Sequence, residues 1–196
     1  RGSGNSMPIL SSTRLPSGLG YIKIAVFSNS AETDLVDAFD QALEDLWDAS
    51  GLIIDLRGNR GGNSALGDQI AGRFYEKPIV YGREYFPARL AIRGFLQWGE
   101  HTIEPRGSIY NKPVVLLIDH QTISSGEYFV AAMADSGRAQ TVGRRTAGAS
   151  GNPLTFKLGG EGLARYSTGD FHRLNGQSIE GFGLQPDFPV KLTIKD

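Results

Sequence analysis

Val114-Val115-Leu116-Leu117-Ile118 constrains the fold more than any other stretch of this chain. Five consecutive β-branched or leucine residues do not alternate inward and outward, as a strand with one wet face does. They suit a strand covered on both sides, within a mostly parallel sheet layered by helices. Leu52 to Leu56 is a second apolar strand and Tyr21 to Phe27 reads as a further strand, while Thr33 to Asp48 sets Leu35, Phe39, Leu43, Leu46 and Trp47 on one helical face. The order strand, helix, strand (52–56), helix (64–75), strand (79–85), strand (114–118), helix (125–135), strand (139–143) predicts an α/β layered fold. Past Gly148 the pattern alternates: Leu154 to Leu158 and Leu163 to Ser167 flank Gly159-Gly160, a hairpin signal in a β-rich terminal part. Phe86 to Lys112 reads as one long irregular loop over a cleft, with Phe95, Leu96 and Trp98 either lining a pocket or packing the loop down.

The 196 residues suffice for one well-buried α/β domain, and 20 basic against 21 acidic side chains leave a net charge of −1. That balance carries no electrostatic footprint for nucleic acid or for an anionic membrane, so partners are recognised by shape. The chain has no cysteine, which excludes disulfides, a thiolate nucleophile and cysteine-based zinc sites and is compatible with an oxidising compartment. No apolar run reaches bilayer-spanning length, and no sequence pattern calls for a metal or a cofactor. Asp34, Asp37, Asp40, Glu44, Asp45 and Asp48 read as a solvated helix face. Residues 1–17 read as a leader or expression remnant, with a native chain that extends further upstream.

Two loops carry chemistry. Thr122-Ile-Ser-Ser-Gly-Glu-Tyr128 sets Ser124 and Ser125 between the 114–118 strand and the next helix. A serine there meets free backbone N–H groups and the positive end of the helix dipole, which favour an alkoxide or oxyanion, although serine is also a common helix cap. Ile53-Ile-Asp-Leu-Arg-Gly-Asn-Arg-Gly-Gly-Asn63 likewise follows an apolar strand and precedes a helix. Gly61 and Gly62 there permit the close backbone approach that an oxyanion hole or anion nest demands. A nucleotide loop is the rival, but neither Gly-x-x-x-x-Gly-Lys-Ser/Thr nor Gly-x-Gly-x-x-Gly follows the strand.

Together with Gly143-Arg-Arg-Thr-Ala-Gly148 and Ile179-Glu-Gly-Phe-Gly-Leu-Gln-Pro-Asp187, these loops resemble the catalytic core of the C-terminal processing (tail-specific) serine peptidases and their tricorn-core relatives. The four motifs occur in that family's order from Gly18 to Val190. Asp55, Leu56, Arg57, Asn59, Gly61 and Gly62 match its Asp-Leu-Arg-x-Asn and paired glycines; Gly183, Pro186 and Asp187 match its closing Gly-x-x-Pro-Asp. The resemblance implies a crotonase-like, Clp-protease-like spiral core over residues 18–196, with Ser124 as nucleophile three residues before Glu127. It implies an oxyanion hole from the N–H groups of Gly61 and Ser125, and Glu180 orienting the base or the serine hydroxyl. It further implies a peptide or unfolded-protein substrate, an upstream PDZ module in the native chain, and a periplasmic, cell-envelope or extracellular setting.

The base is the departure. The processing-protease branch places a lysine where this chain has Ala149, and the tricorn-like branch draws its histidine from an upstream segment that these residues lack. Three histidines remain: His120 four residues before Ser124, His172 near Glu180, and His101 on the long loop. A missing base is the fourth alternative. A non-catalytic module on the same fold, binding peptides or apolar ligands, is the competing functional reading, and a fragment active only when its upstream segments are restored is the second.

Overall fold

The computed structural model describes residues 8–87 and 95–191, with backbone alone at 87 and 95–98. The strands are β1 (Leu10–Arg14), β2 (Gly20–Ile24), β3 (Leu52–Asp55), β4 (Ile79–Pro87), β5 (Phe95–Ile103), β6 (Val114–Ile118), β7 (Gln140–Gly143), β8 (Leu154–Lys157), β9 (Leu163–Tyr166), β10 (Asp170–Arg173) and β11 (Phe188–Pro189). The helices are α1 (Leu35–Asp45), α2 (Ser64–Ala71) and α3 (Ser125–Asp135), with a short 3-10 turn at Gly72–Phe74. Among the described residues the main sheet runs β1-β2-β3-β6-β7-β11, parallel from β2 to β11, with β1 antiparallel at its edge. A second sheet runs β10-β4-β5, and β8-β9 form a hairpin of their own.

Several boundaries match the sequence reading and others do not. The 114–118 strand and the 125–135 helix stand as expected, and on β6 Val114, Leu116 and Ile118 are buried while Val115 and Leu117 are half-buried. Leu10–Arg14 pair with Tyr21 and its neighbours, so part of the expected leader is the edge strand of the main sheet. The 86–112 stretch contains β5, which pairs antiparallel with β4 from Ile103 back to Phe95, so residues 95–103 of the expected loop are a sheet edge instead. Phe95, Leu96 and Trp98 lie outside the described side chains.

Helix α1 starts at Asp34, whose carboxylate accepts the N–H groups of Val36 and Asp37, and it buries Leu35, Val36, Phe39, Ala42 and Leu43. It ends before Trp47, which is 37% exposed and edge-on to Tyr110 rather than part of the buried stripe. The acidic face is not wholly solvated: Asp40 is clamped by Arg73 at 2.8 Å and Arg106 at 2.5 Å, tying α1 to the segment after β5. Burial opposes ionisation of Asp40, but the two guanidinium groups outweigh it and hold its carboxyl below the ordinary range.

Helix α3 positions the site. The sequence suggests an apolar stripe, yet every residue from Ser125 to Met133 is buried, as befits a helix enclosed on all sides. Phe129 meets Phe27 of the main-sheet layer at 5.6 Å between ring centres, and Tyr128 stacks on Phe171 of β10 at 4.1 Å. With one sheet on each flank, the helix cannot shift without opening the core. Truncating Phe129 to alanine would cost about 3–5 kcal/mol. The N-terminus of α3 is thereby a fixed point.

Candidate active site

Ser124 sits at the N-cap of α3 with φ 54° and ψ −127°, a backbone conformation that L-residues with side chains rarely adopt. Such a residue costs on the order of 1–3 kcal/mol and persists where its surroundings over-determine it. Those surroundings are on both sides. The Ser124 N–H donates to Ala149 O at 3.0 Å and to Glu127 Oε2 at 3.1 Å, while the Ser124 carbonyl accepts from Glu127 and Tyr128. A sharp strand-to-helix turn of this kind pushes the serine side chain toward the cleft.

Glu127 is the hub of that turn. It is fully buried, and its carboxylate receives four kinds of donor: Ser124 N–H, Ala149 N–H at 2.9 Å, Gly148 N–H at 2.7 Å and Thr146 Oγ1 at 2.6 Å. Burial pushes its carboxyl above the ordinary range against the pull of these donors. The effect is to lock the 146–149 loop to the serine turn. Sequence reading named Glu127 only as the closing residue of a motif and missed this role.

The glycine loop closes the other side. Gly61 has φ +78°, and a Cβ built there would lie 2.6 Å from Ser124 Cβ and 3.0 Å from Ser125 N, so the loop's backbone abuts the serine turn directly. Buried Asn59 ties the two together: its Nδ2 donates to Ile24 O, its Oδ1 accepts the Gly61 N–H at 2.8 Å, and its carbonyl accepts the Ile123 N–H. This corrects one expectation. The Gly61 N–H is engaged by Asn59 and does not face the cleft; among the described residues it is the N–H groups of Gly62 and Ser125 that meet no protein acceptor. Gly62 and Ser125 both line the Ser124 cleft, and Ser125 Oγ donates to Gly62 O at 2.7 Å, holding the pair in register.

The cleft has a volume near 700 Å³, and its walls are the glycine loop, the serine turn, the Ala149–Pro153 loop and the inner end of the β8-β9 hairpin. Glu180 lies behind the wall. Its carboxylate accepts Ser150 N–H at 2.6 Å, Gly151 N–H at 2.8 Å and the Ser167 hydroxyl, and it makes no hydrogen bond to Ser124. Glu180 therefore shapes the loop after Ala149, where the resemblance had it orient a base or the serine.

The histidines are placed elsewhere. His172 Nε2 pairs with Asp170 at 2.8 Å and its ring rests on Tyr85; His120 is exposed near Asp119 and Arg144 in a separate hollow. His101 sits in a buried aromatic nest with Tyr81, Tyr128 and Phe171, its Nε2 3.1 Å from Glu84 Oε2. Among the described residues none of the three hydrogen-bonds Ser124. Glu84, unnoticed in the sequence, reaches the cleft wall from β4, where Tyr128 Oη also approaches it at 3.3 Å before donating to Ser150 O at 2.8 Å.

The family model described as Peptidase family S41 matches residues 18–190. The chain belongs to that family. A carboxyl-terminal-processing protease of Synechocystis sp. is 30% identical over 188 residues, 93% of this chain and 40% of the relative. A carboxy-terminal-processing protease of Bartonella bacilliformis is 25% identical over 91% of this chain and 40% of its own length. Among solved structures, a putative peptidase from Parabacteroides merdae superposes with a TM-score of 0.83 at 28% identity, covering 96% of this chain and 59% of that one. The chain thus spans about 40% of the length of those curated relatives. The fold is the S41 peptidase α/β core, in keeping with the expected Clp-protease-like spiral.

Proposed function

We propose that this chain is the core of a serine endopeptidase that cleaves peptide bonds by acyl transfer through Ser124. The observation that carries the reading is the meeting of a strained, helix-capping Ser124 with two open N–H groups, of Gly62 and Ser125, at one cleft. In that mechanism Ser124 Oγ attacks the peptide carbonyl carbon, and the carbonyl oxygen becomes an oxyanion held by those N–H groups. Collapse breaks the C–N bond, the amine leaves with a proton, and water then hydrolyses the Ser124 ester. Glu127 and Glu180 act as positioning residues, the first on the serine turn and the second on the adjoining loop.

The serine proton needs an acceptor, and the residue beside Ser124 is Ala149, so the chain as it stands is a weak catalyst or an inactive one. That same observation favours the second reading, a module on the S41 fold that binds peptides or apolar ligands without cleaving them. The family resemblance supports a periplasmic, cell-envelope or extracellular setting and an upstream PDZ module in the longer protein.

A fluorophosphonate probe followed by peptide mass spectrometry separates the two readings. Labelling at Ser124 that disappears in Ser124→Ala supports the peptidase. No labelling above the Ser124→Ala background sinks activity of this chain by itself, in favour of the binding module or of a core that is active only with its upstream segments restored.

A further inference from the structure

The charges around the Ser124 cleft are unbalanced in a way that neither the fold nor the proposed chemistry requires. Arg60, on the glycine loop, and Arg165, on β9, both line the cleft. Arg60 is exposed, and its guanidinium meets no carboxylate or other acceptor among the described residues. Arg165 is exposed and donates its Nε to Thr155 Oγ1 at 3.1 Å, again with no acid beside it. Among the described residues the only acid lining the cleft is Glu84, which is buried, with its Oε2 3.1 Å from His101 Nε2 and its Oε1 3.3 Å from Tyr128 Oη. It is a poor partner for a cation on the substrate.

The asymmetry continues outward. In the β8-β9 hairpin Arg165 pairs with Thr155 and Leu163 with Lys157, so Lys157 and Arg165 point to the same face under the strand alternation. Lys157 is exposed and makes no ion pair among the described residues; the hairpin's one acid, Glu161, lies at its tip. A track of three cations, Arg60 to Arg165 to Lys157, therefore leads from the nucleophile position along the hairpin. Long exposed cations left unpaired next to a cleft are free to meet an incoming anion.

We infer that this cleft selects peptides carrying carboxylates, with Arg60 and Arg165 reading an acidic group close to the bond at Ser124 and Lys157 one further out. The inference rests on the proposed function only in taking a peptide as the occupant. The carboxylate can come from Asp or Glu side chains or from a peptide's own C-terminus, and both present the same planar anion to a guanidinium.

The test uses fluorescein-labelled decapeptides with one apolar core and two central Asp, Asn or Lys residues, each with a free or an amidated C-terminus. Binding is followed by anisotropy at 25 mM and 250 mM salt (about 20 Å and 6 Å Debye lengths). The Asp peptides should bind about three- to tenfold tighter than the Asn peptides at low salt, with Lys weakest and the preference shrinking at high salt. Arg60→Gln with Arg165→Gln should erase most of it, melting curves confirming that the double variant is folded, and Lys157→Gln should remove a smaller part. If instead amidation abolishes binding of the Asn peptide, the C-terminus is the carboxylate read and the inference stands. Equal binding of Asp, Asn and Lys peptides, a preference that survives the double variant, or no binding by any peptide overturns it. Fluorophosphonate labelling of the unmodified chain at Ser124 reads the peptidase proposal separately, so either idea can fail alone.

Discussion

The backbone N–H of Ser124 donates to the carbonyl of Ala149 at 3.0 Å, and the Ala149 N–H in turn donates to Glu127, which also holds the Ser124 N–H. Residue 149 is thus fixed beside the proposed nucleophile by two hydrogen bonds of its own backbone, with Glu127 bridging it to Ser124. Whatever side chain stands at 149 begins its path next to the serine. In the processing-protease branch that this chain resembles, the matched position is a lysine.

Ala149→Lys is therefore expected to create or strengthen Ser124-dependent hydrolysis of an unstructured protein substrate. A general base within reach is worth roughly 10²–10⁴-fold. The gain should rise with pH, because only the neutral amine accepts a proton, and it should vanish in the Ser124→Ala, Ala149→Lys pair. An Ala149→Lys chain that cleaves no faster than the unmodified one, while still folded, removes residue 149 from the mechanism.

Gly61→Ala tests the contact between the two loops. The added Cβ would fall 2.6 Å from Ser124 Cβ and 2.9 Å from Ile123 O, on a residue at φ +78°. Neither backbone can yield without moving Asn59 or α3. The expected outcome is a loss of about 2–4 kcal/mol of stability in urea titrations, together with loss of probe labelling at Ser124. Wild-type labelling in the variant would show that the loop does not help to shape the nucleophile's surroundings.

Glu127→Gln should be harmful although it removes a buried charge. Three of the four partners of the carboxylate are backbone N–H donors, so one orientation of the amide sets its NH2 against those of Ser124 and Ala149 and the other against that of Gly148. Relief of the burial cost offsets only part of this, and a net loss of about 1–3 kcal/mol is expected. Denaturation of the variant measures the loss. Amide exchange at 146–149 should rise with it; unchanged protection there would mean that Glu127 does not anchor that loop.

Much of this was legible where the signal is local. The apolar run of β6, the buried face of α1 and the paired glycines each declare themselves within a few residues. The reading failed where a residue's place depends on a distant partner. β5 carries Glu100, His101 and Thr102, which look like loop, and it becomes a strand only by pairing with β4. Glu84 reaches the cleft because β4 crosses behind α3, and its partners His101 and Tyr128 lie 17 and 44 residues away. The Gly61 N–H does not serve the cleft, as its spacing suggests, because the side chain of buried Asn59, two residues earlier, turns back to take it. Glu180 was placed near the serine by motif position, but the loop it binds, Ser150-Gly151, intervenes.

The last prediction concerns acid. Asp55 is fully buried at the end of β3, where its carboxylate accepts Tyr21 Oη at 2.6 Å and is gripped by Arg57 through Nε at 2.9 Å, Nη2 at 2.8 Å and the backbone N–H at 2.9 Å. Burial alone would raise its pKa; the hydrogen bonds from Arg57 and Tyr21 and the Arg57 charge outweigh that and hold it below the ordinary carboxylate range. A carboxyl whose pKa is lower folded than unfolded stabilises the fold above its unfolded pKa of about 3.9, and that contribution is lost as pH falls through the folded value. The Arg57 side chain is 52% exposed, so solvent screens the pair and the contribution is expected to be only about 1–2 kcal/mol. Urea titrations at pH 6 and at steps below pH 4 should show Asp55→Asn less stable than the unmodified chain at pH 6, with the gap narrowing as the acid limb is descended. Because Asp55 opens the loop that runs through Arg57 and Asn59 to Gly62, probe labelling at Ser124 should fall in Asp55→Asn as well. A gap that stays constant down to pH 2 would mean that the Asp55 charge contributes nothing and that the loop is held by Asn59 alone.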